Sequence, residues 1–123
     1  MPTALWIVQG ILAAAFLAAG LQKLLRRREA LAQSMGWVED VRQTHVRAIG
    51  VAEVLAALGL VLPGLTGIAP VLTPVAATGL VLLMVGAAVT HARRGEPALI
   101  AVNVVLGLLA ALVAWGRFGP WPL

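Results

Sequence analysis

The sequence predicts an all-α integral membrane four-helix bundle. Three observations lead there: too few charges to coat a globule in water, four apolar runs of span length, and helix breakers at the ends of those runs. Of the 123 residues, 61% are hydrophobic and 11% charged, whereas a water-soluble domain carries about 25% charged residues. Mean hydropathy is +0.97. The apolar runs cover 4–25, 48–63, 70–90 and 98–116. Each is near the roughly 20 residues that a helix rising about 1.5 Å per residue needs to cross about 30 Å of hydrocarbon. One transmembrane domain, residues 1–123, follows, with spans at about 4–25, 46–63, 70–91 and 98–116.

The first run contains LAAAFLAAG, which has the look of a signal-peptide cleavage region. Its basic residues follow the apolar stretch instead of preceding it, and the stretch is longer than a signal core, so it reads as the first span. The second run is the shortest and extends through Val46 and Arg47, whose side chain reaches back to the interface. Pro63-Gly64 closes that span, Pro70 and Pro74 open the third, and Pro97 opens the fourth. No segment alternates over about ten residues as a membrane barrel strand does. In the first connection Leu31, Met35, Val38 and Val41 recur every three or four residues. That spacing predicts a short amphipathic helix lying on the membrane surface over about 29–45, either a membrane-hugging linker or a docking element.

Orientation comes from the arginines. Arg26, Arg27, Arg28, Arg42 and Arg47 flank or occupy the first connection and Arg93 and Arg94 the third, while the second connection, GLTGIA, has no charge. The positive-inside rule makes the first and third connections cytoplasmic, giving a multi-pass protein of a bacterial-type plasma membrane with both termini extracytoplasmic. The net charge of +4 then reflects topology and contact with anionic headgroups, and no nucleic-acid partner is expected. Trp6, Trp115 and Trp121 fall at the outer interface and Trp37 at the inner one. The chain has no cysteine, which excludes disulfides, thiol redox chemistry and cysteine-ligated metals. No motif calls for a metal or a bound phosphate.

A weak internal repeat accompanies this layout. Gly20 precedes Arg27-Arg28, and Gly86 precedes Arg93-Arg94, by the same offsets, and VAEVL resembles AVNVVL, which aligns Glu53 with Asn103. Two helix pairs of one orientation form a parallel 2+2 repeat about an axis along the membrane normal.

Four polar side chains stand out against these apolar runs. Glu53 lies six residues beyond Arg47, roughly 9 Å into its span at the helical rise. Asn103, counted from Pro97, reaches a similar depth, and Lys23 and His91 lie at the same ends of their spans. The polar residues share helix faces with small ones: Gln9, Ala13, Phe16, Gly20 and Lys23 on the first, Gly50, Glu53 and Ala57 on the second, Asn103, Gly107 and Ala110 or Ala111 on the fourth. Small residues beside a polar group mark faces turned toward other helices. An ionised carboxylate at mid-span costs about 2.5–3.5 kcal/mol on insertion scales, so Glu53 has to be paired, protonated or hydrated. Two readings follow: interhelical polar clamps, Glu53 with Lys23 and Asn103 with His91, or a small polar cavity for a ligand or a proton. Contact with a partner subunit is a third. The residues assign no catalytic group and leave open whether the chain is an enzyme.

AAGLQKL, AIGVAEVLAALGLVLPGL, PVAATGLVLLMVGAAVTHARRGE and NVVLGLLAALVAWGR, in that order and spacing, resemble the DoxX-like family of small four-helix membrane proteins. The resemblance rests on Gly20 and Lys23, on Gly50, Glu53, Gly59 and Pro63, on Met84, Gly86 and His91, and on Asn103, Leu106 and Arg117. It implies an accessory subunit of a membrane redox or oxidative-stress complex. The family takes its name from relatives in a thiosulfate:quinone oxidoreductase, which makes quinone the one cofactor implied and makes Lys23, Glu53, His91 and Asn103 its candidate contacts. Partners are then the lipid bilayer and other membrane or redox subunits, with homo-oligomerisation open. The alternatives are a small proton-coupled transporter, for which a lone membrane glutamate is the cue, and a structural or assembly factor without a small-molecule site.

Overall fold

The computed structural model describes residues 2–26, 35–37 and 43–123. Its regular elements are four long helices, α1 (Pro2–Leu25), α2 (Gln43–Thr66), α3 (Leu72–Arg93) and α4 (Pro97–Phe118). All four are long and apolar enough to cross a membrane, so the chain is an all-α multi-pass membrane protein. Successive helices run in opposite directions. The start of α1, the α2–α3 turn and the C-terminus share one end of the bundle, the terminal end. Arg26, Arg47, Arg93 and Arg94 mark the other, the arginine end.

Solvent-facing positions have the character lipid requires. Ile7, Leu55, Leu82 and Leu108 are each more than half exposed, an arrangement that hydrocarbon accepts and water does not. Inside, Leu5, Leu12, Phe16, Leu60, Leu80 and Val113 form the core. Lipid tails are as apolar as leucine, so helices associate through close backbone approach and interhelical hydrogen bonds more than through hydrophobic burial. Gly20 and Gly50 show the first of these. A β-carbon on Gly20 would lie 2.7 Å from the Gly50 carbonyl oxygen, so α1 and α2 cross where only glycine fits.

The helices form two extensive pairs, α1 with α2 and α3 with α4, and the pairs touch each other less. Several contacts between the pairs lie toward the terminal end: Leu5 packs on Gly116, Gln9 bonds Arg117, and the Thr73 hydroxyl donates to the Gly59 carbonyl. Toward the arginine end the pairs part around a cavity.

One expected boundary is corrected. Pro63 does not close the second span; α2 runs through it to Thr66. A proline inside a helix leaves the carbonyl four residues earlier without its amide partner. Here that carbonyl belongs to Gly59, and Thr73 at the start of α3 supplies the missing hydrogen bond at 2.7 Å. Pro74 and Pro97 stand in the first turns of α3 and α4, where no amide hydrogen is required. The amphipathic element expected over about 29–45 lies mostly outside the described residues; Gln43–His45 belong to α2.

Candidate functional site

The parting of the two helix pairs leaves a cavity of about 520 Å³ at the arginine end, bounded by all four helices and by Met35 and Trp37. Lys23, Glu53, His91 and Asn103 all line it. Each is more than nine-tenths buried. Apart from Thr90 the rest of the wall is apolar, including Ala15, Ala19, Leu83, Ala87, Val102 and Leu106. Period-3.6 spacing explains how the side chains arrive there. Gln9, Phe16, Gly20 and Lys23 are buried along one stripe of α1, and Gly50, Glu53 and Ala57 along one stripe of α2.

Lys23 and Glu53 meet across the α1–α2 crossing. Lys23 Nζ lies 2.7 Å from Glu53 Oε1, and only 8% and 5% of the two side chains remain exposed. The approach is off the line of a well-formed hydrogen bond. Attraction between charges does not need that alignment, so this contact is what neutralises the intramembrane carboxylate. Lys23 also stands 5.8 Å from the centre of the Trp37 ring, within cation–π range.

His91 does not clamp Asn103. Its Nδ1 lies 3.0 Å from Glu96 Oε1, and Arg94 Nε donates to the same oxygen at 3.1 Å. A carboxylate outcompetes an amide oxygen as acceptor, and the turn between α3 and α4 delivers one. Gly95 takes φ of +68°, which reverses the chain, and the Glu96 amide donates to the His91 carbonyl. An ionised carboxylate can only accept, so Nδ1 carries the hydrogen; Nε2 is an acceptor in the neutral ring and a donor in the charged one. The hydrogen bond from His91, with the charge of Arg94, outweighs desolvation and holds the Glu96 carboxyl below its ordinary range. Asn103, by contrast, has no partner in the protein for its buried Nδ2.

A second polar cluster, at the terminal end, escaped the sequence reading. Gln9, fully buried, donates to the Leu60 carbonyl at 2.6 Å and accepts from Arg117 Nε at 2.7 Å. Arg117 Nη1 donates to the Trp121 carbonyl, and the guanidinium lies 5.5 Å from the Trp6 ring centre. Trp121 in turn meets Trp115 edge to face. Gln9 stands on the inward stripe of the first span, and Arg117 enters the sequence reading only as a position of the family resemblance. The available signal was the seven-residue spacing of Asn103, Ala110 and Arg117, which puts all three on one buried face.

No curated protein and no solved structure matches the chain. The model of the DoxX-like family matches residues 7–113, which include parts of all four helices and every cavity-lining residue named above. The chain belongs to the DoxX-like family.

Proposed function

We propose that this protein is an accessory subunit of a membrane redox or oxidative-stress complex and that it holds the polar head of a quinone in the cavity at the arginine end. The observation that supports this reading is the cavity itself. Its size falls within the roughly 300–1,000 Å³ of small-molecule sites. Its wall is mainly apolar, with Lys23, Glu53, His91 and Asn103 and the Thr90 hydroxyl as its polar groups. An amphiphile with a compact polar head and a long apolar tail suits such a wall, and a quinone is the amphiphile that the family's redox associations favour. Bound there, a quinone would bring electron-carrying chemistry. The chain's own residues would hold its ring, with Ala15, Ala19 and Leu106 excluding water. We also place the arginine end on the cytoplasmic side, on the charge bias of the connections.

A structural or assembly role is the second reading, and one observation favours it: Lys23 and Glu53 spend their charges on each other within one helix pair. Proton-coupled transport would also require a path through the terminal end, where Leu5, Gln9 and Val113 are fully buried. The test is capture of the full chain from its native membrane in mild detergent, with identification of co-purifying proteins and extracted lipids. A redox enzyme together with a quinone is the expected result. A chain recovered with neither would overturn the proposal. Reporters fused after Leu123 and inserted near Gln33 test the orientation, with the first expected outside and the second in the cytoplasm.

A further inference from the structure

The charges on the cavity wall are already spoken for. Lys23 faces Glu53 at 2.7 Å, and the Glu96 carboxylate beside His91 takes hydrogen bonds from His91 and Arg94. A third charge brought into this space would be desolvated without a counter-ion, which is strongly unfavourable. One polar group on the wall stands apart. Asn103 is 8% exposed, and its Nδ2 has no hydrogen-bond partner in the protein. A buried donor left without an acceptor costs about 1–3 kcal/mol, an expense without structural return at a position where leucine would pack.

The other side of Asn103 offers it nothing. Beyond it, between α3 and α4, lies a lipid-facing groove walled by Val81, Val85, Ala88, Val104 and Leu108. Acyl chains at that depth carry no acceptor. The acceptor therefore has to enter the cavity. Resting on the cavity reading above, we infer that Asn103 reads the head of the cavity's ligand by donating to an oxygen acceptor, and that this head is uncharged: a carbonyl, ester or ether oxygen on an apolar tail. His91 Nε2, an acceptor when the ring is neutral and Nδ1 donates to Glu96, then complements it for heads that also carry a hydroxyl.

The test uses the full chain in nanodiscs of dimyristoyl phosphatidylcholine, with bound probe counted by native mass spectrometry. The probes share one tail length and differ in head: glycerol monododecanoate, neutral with ester and hydroxyl oxygens; dodecanoate, an anion; and dodecylammonium, a cation. Decylbenzoquinone is run in parallel. Wild type is expected to hold the neutral probe and the quinone at least ~10-fold more tightly than either ion, and Asn103→Leu to weaken both by about 5- to 10-fold, the worth of one hydrogen bond. Because the Asn103 amide nitrogen bonds nothing among the described residues, Asn103→Leu is also expected to melt at the wild-type temperature or above it. Asn103→Ala, which removes the amide without adding volume, is read alongside. Equal binding of glycerol monododecanoate and the quinone by wild type and both variants would overturn the inference and leave the cavity reading standing. So would ions binding as well as the neutral probe, or a variant that dissociates an oligomer without changing probe binding, which would assign the amide to a contact between copies. Wild type that retains no probe would overturn both readings.

Discussion

The two ends of the bundle solve the same problem, a polar residue inside a membrane helix, in opposite ways. At the terminal end the polar side chains pack against one another, and of the Arg117 guanidinium only Nη2 has no hydrogen-bond partner among the described residues. Gln9 is fully buried, joins α1 to α2 through the Leu60 carbonyl and to α4 through Arg117, and Arg117 is capped by Trp6 and Trp121. At the arginine end the polar residues line space. Lys23, Glu53, His91 and Asn103 surround a cavity of about 520 Å³, and one of them has no partner. The difference is informative because polar groups in a dry, packed site carry stability, whereas polar groups around a cavity have access to water or a ligand and carry chemistry. The same kind of deletion should therefore cost more at the packed end.

The largest expected effect is at Gln9. Gln9→Leu roughly keeps the volume but strips the buried guanidinium of Arg117 of its side-chain acceptor. A loss of about 3 kcal/mol is expected, measured by unfolding in mixed detergent and dodecyl sulfate micelles. Lys23→Met and Glu53→Gln come next, at about 1–2 kcal/mol each, since an orphaned group here can give up its charge by taking up or releasing a proton. The double substitution should recover much of that loss. Additive losses in the cycle would show that the two side chains are not coupled.

The smallest effect is expected at Glu96, on the surface turn. Its folded-state value is held below the ordinary 4.5, so its contribution to stability is complete above that pH and is lost as pH falls through the lower folded value. Melting followed from pH 6 downward should show a decline beginning near pH 4.5 that is reduced in Glu96→Gln. A variant that tracks wild type throughout would remove the Glu96 pair from the account.

Much of this architecture was legible in the sequence because bilayer thickness makes span length a direct readout. Prolines were legible where they start helices, and misleading at Pro63. Whether a missing amide ends a helix depends on who satisfies the Gly59 carbonyl, and that partner, Thr73, comes from the next helix. Depth counted from Arg47 and Pro97 brought Glu53 and Asn103 to one level, which needs only the helical rise. Partner choice was legible for Lys23 and Glu53 but not elsewhere, since it depends on helix rotation and turn geometry. Glu96 reaches His91 across a three-residue turn, and Gln9 reaches Arg117 across 108 positions. The internal repeat does bear on one residue. Aligned on Gly20 and Gly86, the counterpart of Lys23 is Val89, just as the counterpart of Glu53 is Asn103. Both charges of the pair are absent together in the second half, leaving a neutral amide where the first half has an ion pair.

The central claim is that the arginine end is hollow for a ligand and the terminal end is packed for stability. Ala19→Phe tests it most directly, because Ala19 lines the cavity and its methyl side chain makes none of the polar bonds described. Filling the space should leave the melting temperature unchanged or raised and abolish binding of decylbenzoquinone in nanodiscs. Retained binding, or a loss of stability as large as that of Gln9→Leu, would contradict the account.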